Sequence, residues 1–278
     1  MGNWLRNRQI LLHTAAITGG MRPSSLRRLP AFRGALLLGG LALMLLIGVT
    51  ALAIQSEYGG VSNVRSLWDD DNLLVMEGGM TIDADGSPHA YSPRPEEGLD
   101  ALEHAGSPEH WDGIATRHGE PIVQGADDPA PGYYVSTTAL QDFSFPFDRQ
   151  ERYVNAARVP YIALPATEDG PQLGDFALVV NTRTRKASPA IFADISAVPG
   201  EGSIALARRL GINADPRRGG TDSGILYFVF NNSGTGTVPE EDEMAQRVQE
   251  LWSSPAVQNV WTNICSEHPD WSCGDLMP

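Results

Sequence analysis

The sequence predicts a mainly β domain, a compact barrel or sandwich with a helix inserted near its end, behind one membrane-spanning helix. Three observations predict it. Residues Gly34 to Ile54, GALLLGGLALMLLIGVTALAI, contain no charged side chain over 21 positions, enough to cross the hydrocarbon core of a bilayer as a helix. From Tyr133 onward, short β-branched and aromatic runs alternate with turn signals. One helix interrupts these strands: S-I-A-L-A-R-R-L, Ser203 to Leu210, has a helical apolar face at Ile204, Ala207 and Leu210.

Taken in order, residues 1–33 carry six arginines and no acid. By the positive-inside rule they stay in the cytoplasm, with 34–54 as an anchor and the remainder exported. No clean A-x-A site follows the run, so an uncleaved anchor is favoured over a cleaved signal; cleavage would leave a secreted protein. Met21 also opens an ordinary export signal, M-R-P-S-S-L-R-R. Residues 55–75 read as a linker and 76–278 as one domain, long enough for a sizeable core. Met76 to Gly132 is rich in Gly, Pro, Asp and His and reads as loops with a few short strands.

Candidate strands are Tyr133–Thr138, Tyr161–Leu164, Phe176–Asn181, Ala190–Asp194 and Ile225–Phe230. Gly211 and Ile212 supply a glycine stop behind the first helix. A second helix is predicted over Pro239 to Trp252, opened by charges that suit an N-terminus.

All 34 acidic side chains lie beyond residue 54, against 14 of the 20 basic ones, so the exported part carries a net charge of −20. That argues against nucleic acid, which needs a basic surface, and favours a cationic partner. The two cysteines, Cys265 and Cys273, in an exported chain predict a disulfide closing a short loop around Trp271. The six histidines show no paired metal-ligand spacing, so neither metal nor cofactor is expected.

The stretch that bears most on function is A-D-I-S-A-V-P-G-E-G-S-I-A-L-A, residues 193–207. Asp194 closes an apolar strand, Val198-Pro199-Gly200 turns the chain, and Glu201 enters the predicted helix. Two carboxylates on rigid elements across a short loop suit glycoside hydrolysis, in which one acid protonates the leaving oxygen and one base activates water. Taken singly, each also reads as an ordinary structural residue: a helix-end charge for Glu201, a turn former for Asp194.

Several blocks in order resemble the chitosanases of glycoside hydrolase family 75. They are M-T-I-D-A-D-G-S-P-H-A-Y (80–91), G-L-D-A-L-E-H-A-G (98–106), P-A-P-G-Y-Y-V-S-T-T-A-L (129–140), V-P-Y-I-A-L-P (159–165) and L-G-D-F-A-L-V-V-N (173–181). The last runs from Ala190 through G-E-G-S-I-A-L-A-R-R-L-G-I to G-I-L-Y-F-V-F. The resemblance implies a six-stranded barrel of the double-psi type and inverting cleavage of the β-1,4-linked glucosamine polymer chitosan. It implies Asp194 and Glu201 as the catalytic pair; the sequence leaves the role of each open, and the working assignment makes Asp194 the base and Glu201 the acid. Asp83, Asp85 and Asp175 become candidate ligands for substrate ammonium or hydroxyl groups, and Tyr134, beside Tyr133, a candidate stacking residue. Ala193 stands where that family usually has glycine, and the loop between the two acids is about two residues shorter. The competing readings are a hydrolase or lyase of another amino-sugar polymer such as peptidoglycan, and a non-catalytic polysaccharide-binding envelope protein.

Overall fold

The computed structural model describes residues 63–271 and 273–275. Seven strands carry the fold: β1 (Arg65–Asp69), β2 (Leu73–Asp83), β3 (Tyr161–Leu164), β4 (Phe176–Asn181), β5 (Lys186–Ile195), β6 (Glu201–Ser203) and β7 (Thr221–Phe230). Their neighbours run β2-β6-β3-β5-β4-β7, and β7 returns to β2, closing a six-stranded barrel with β1 outside it on β2. The pairs β2/β6 and β3/β5 are parallel and the others antiparallel. Closure leaves the barrel no free edge.

Strand alternation sorts the apolar residues into two clusters, as a period of two requires. Along β7, Leu226, Phe228 and Phe230 join Val75, Leu178 and Ile191 beneath two helices, α2 (Glu241–Trp252) and α3 (Pro255–Glu267). Ile225, Tyr227 and Val229 join Met80, Val179 and Phe192 with the helix α1 (Ile204–Leu210). Helices cannot sit inside a six-stranded barrel, so α2 and α3 cover its outer face. There Phe228, Trp252 and Trp261 meet edge to face, with centroids 5.3–6.0 Å apart.

Helix α1 starts where its capping chemistry dictates. The Ser203 hydroxyl accepts from the Leu206 N–H, and Gly211 ends the helix in the left-handed region at φ 69°. Cys265 on α3 is bonded to Cys273, with Cα atoms 6.0 Å apart, and Trp271 between them packs on the outer-face cluster.

Three expectations need correction. The linker boundary at 75 falls inside β2, and β1 precedes it. A run of three aspartates and the Gly78-Gly79 pair hid this longest strand. Asp70 in fact makes the turn, accepting from the Asn72 and Leu73 N–H groups, and a side chain at Gly79 would lie 2.5 Å from the Thr221 carbonyl of β7. Residues 133–138 form only isolated bridges, Tyr134 to Val123 and Ser136 to Ile114. The buried Gln150 amide takes the place of a neighbouring strand, accepting from the Ser136 N–H and donating to its carbonyl. Glu201 lies in β6, not in the helix, because Ser203 caps α1 two residues later. Helix α3 adds to the one predicted C-terminal helix, with Ser254 as cap and proline in its first turn.

Among the described residues no helix is long and apolar enough to cross a membrane. The run 34–54 lies outside them.

Candidate active site

Three strands align the two acids. On β3, Ala163 pairs with Asp194 of β5 on one side and with Glu201 of β6 on the other. Laterally paired residues send their side chains to the same face of a sheet, so both carboxylates leave the barrel together with a methyl group between them. With strands 4.7–4.9 Å apart, two steps separate their backbones by about 9.5 Å.

This alignment depends on an irregularity. Ile162 pairs with Phe192, but Ala163 pairs with Asp194, so Ala193 is an extra residue in β5. Such a bulge re-aims the side chain that follows it. Without it Asp194 would follow Phe192 into the α1 cluster. Ala193 is fully buried, and its carbonyl accepts from the Leu140 N–H, which holds the bulge in place.

Two more carboxylates join the pair from the end of β2. Asp83 lies beside Ser203 of β6, and its Oδ1 accepts from the Asp85 N–H at 2.7 Å. Asp85 Oδ1 accepts from the Tyr91 hydroxyl at 2.6 Å, while the Tyr161 hydroxyl donates to the Asp85 carbonyl. Gly113 makes room for this carboxylate, since a Cβ there would fall 2.8 Å from Asp85 Oδ2. Carboxylate oxygens of Asp83, Asp85 and Asp194 all lie within 4.8 Å of one another. Three such oxygens form a donor set that a hard cation or an ammonium group fits.

Burial of so much negative charge raises every member. Burial, then the Asp83 charge, pushes Glu201 up to about 8, and no hydrogen bond to its carboxylate opposes this among the described residues. Asp83 rises to about 6, again by burial, opposed by the Asp85 N–H and the Tyr161 hydroxyl. Burial and then Asp83 raise Asp194, and backbone N–H groups of Ile195 and Ala139, both on its Oδ1, pull the other way. Asp85 is raised by burial and by Asp83 and Asp194. The helix-dipole effect on Glu201 expected from the sequence does not act, since Glu201 belongs to a strand.

The structure therefore brings Asp83, Asp85, Asp194 and Glu201 together and commits the Asp175 carboxylate elsewhere. The Asp175 carboxylate is committed to four backbone N–H groups, those of Gln172, Asn232, Ser233 and Gly234, and fixes the turn after β7. Tyr134 packs partly buried against the α1 cluster. A comparison with protein-family models finds no match, and neither does one with curated proteins.

Sequence reasoning missed Tyr91, Tyr161 and the pair Asp100–His104. The His104 Nδ1 lies 2.8 Å from the buried Asp100 Oδ1, and that hydrogen bond raises the imidazole. A carboxylate and a histidine four positions apart were visible in G-L-D-A-L-E-H-A-G; the nearness of both to Glu201 was not.

Proposed function

We propose that this domain is a glycoside hydrolase that cleaves the β-1,4-linked glucosamine polymer chitosan with inversion. The observation that carries the reading is the row Asp194–Ala163–Glu201. Inverting enzymes hold their two carboxyl groups about 6.5–9.5 Å apart so that a water fits between base and sugar, and backbones two strand spacings apart, with both side chains on one face, support a separation of that order. In this reading Glu201, whose carboxylate has no hydrogen-bond donor among the described residues, keeps its proton to about pH 8 and gives it to the leaving oxygen. Asp194, whose Oδ1 is held by two N–H groups and whose ionised form the substrate's ammonium charge beside Asp83 and Asp85 favours, takes a proton from the water. That water attacks the anomeric carbon as the C–O bond breaks, and solvent restores both carboxyl groups.

Asp83 and Asp85 receive an ammonium group of the substrate, whose positive charge offsets the repulsion within the cluster. The same charge balance favours a free amino sugar over peptidoglycan, whose peptides add carboxylates. Two parallel contacts in an otherwise antiparallel closed barrel support the double-psi description. The apolar run 34–54 supports placing the domain outside the cytoplasm, on an uncleaved anchor.

The test is reducing-end release from chitosan, chitin and peptidoglycan by the full chain in mild detergent, with the first product's anomer read by NMR. Release from chitosan with an inverted anomer is expected. No release from any of the three sinks the proposal, and a retained anomer sinks the mechanism.

A further inference from the structure

Five of the large apolar side chains exposed on the described residues lie on two segments that run out from Asp194: Phe143, Phe145 and Phe147 on one, Ile195 and Val198 on the other. The first segment is D-F-S-F-P-F-D, residues 142–148. Its root is tied to the catalytic strand, since the Ala139 N–H donates to Asp194 Oδ1 and the Leu140 N–H to the Ala193 carbonyl. At most about 14 Å of extended chain separates the Cα atoms of Ala139 and Phe143.

The excursion is held in shape. Gln141 bridges Tyr153, the Asp142 N–H donates to the Arg152 carbonyl, and the Tyr153 hydroxyl donates to the Phe147 carbonyl. The Arg152 guanidinium lies 4.5 Å over the Phe143 ring, and that of Arg117 5.4 Å over Phe147. Phe143 is nevertheless 77 % exposed, Phe145 40 % and Phe147 44 %, so each ring keeps surface open to solvent. Three fixed aromatic rings at alternate positions cost apolar exposure that a solvated loop avoids.

We propose that Phe143, Phe145 and Phe147 form a stacking platform for sugar units of the same amino-sugar polymer, beyond those at the acids. The assignment rests on the hydrolase reading above. Aromatic faces take the apolar face of a pyranose ring and also attract an ammonium group. The place of the loop selects this occupant, because its root is tied to Asp194. Its three acids, Asp142, Asp148 and Glu151, match the three arginines Arg117, Arg149 and Arg152 in or beside it, so it lacks the basic excess with which a loop docks on anionic lipid.

The test uses the full chain carrying Glu201→Gln, which binds without cleaving, with and without Phe143→Ser, Phe145→Ser and Phe147→Ser together. Affinity for chitosan should fall about tenfold or more, the scale of losing two or three ring contacts. In the cleaving chain, the ratio of kcat/KM on polymer to that on short oligomers should fall by a similar factor. In proteoliposomes, glucosamine oligomers should shield the loop from chymotrypsin. Unchanged affinity overturns the proposal, as does a Glu201→Gln chain that binds no chitosan. Shielding by lipid alone, or a shift in oligomeric state on substitution, assigns the loop to a membrane or a second copy and also overturns it. If the unsubstituted chain cleaves nothing, catalysis fails separately, because the platform is judged on binding.

Discussion

Glu201 and Asp194 differ in what touches them. Two N–H groups donate to Asp194 Oδ1, and no hydrogen bond reaches the Glu201 carboxylate among the described residues. Asp194→Asn and Glu201→Gln keep the shape and remove proton transfer. Each should cut turnover on chitosan about 10²–10⁴-fold with the circular dichroism spectrum unchanged. Turnover near the unsubstituted level for Glu201→Gln would reduce Glu201 to a buried strand residue. The raised carboxyls also set a pH trend. Folded Glu201 holds its proton to about pH 8, whereas the unfolded chain releases it near 4.5. Between those values the folded state binds more protons, so stability falls as pH rises and the loss is complete above about pH 8. Asp83, raised to about 6, acts in the same direction. Melting temperature should therefore drop between pH 5 and 8, and drop less in Glu201→Gln; an equal slope would show that Glu201 ionises normally.

At the scale of elements, Ser203 joins β6, β3 and α1 through one hydroxyl. It accepts from the Leu206 and Tyr161 N–H groups and donates to the Val159 carbonyl, all within a fully buried site. Ser203→Ala removes a helix cap and leaves the Tyr161 N–H and the Val159 carbonyl without this partner. A loss of about 2–3 kcal/mol by urea unfolding is expected, since a cap contributes about 1 and a stranded buried group 1–3. A loss under 0.5 kcal/mol would mean that the barrel does not depend on this junction. Strands Tyr161–Leu164 and Phe176–Asn181 were legible to the residue, because each is a short apolar run between turn signals. Strand β6 was not. Its three residues, Glu-Gly-Ser, have no strand character and are extended only because β2 and β3 flank them.

At the scale of the molecule, the disulfide ties the end of α3 to the chain eight residues on, beside the outer-face cluster. Closing so short a loop contributes about 2.5 kcal/mol through the unfolded chain. Cys265→Ser with Cys273→Ser should lower the melting temperature by several degrees and leave chitosan turnover within twofold; a large loss of turnover would tie the C-terminus to the site. For topology, protease added to intact spheroplasts should remove the domain that begins by Arg65. Protection of that domain alongside a cytoplasmic marker would refute export.

Local sequence was enough for the mainly β character, four of the strands, the first helix and its glycine stop, the cysteine pair and the two acids as a candidate pair. All of these follow from local pattern: period, turn chemistry, capping and composition. It took long-range pairing to show that Asp194 and Glu201 share Ala163 as partner, that the Ala193 bulge turns Asp194 to their common face, and that Asp83 and Asp85 join them while Asp175 is committed to backbone N–H groups. Those facts depend on which strands become neighbours and in what register. Register is a property of pairs of segments far apart in the chain, and no window of one sequence contains both partners.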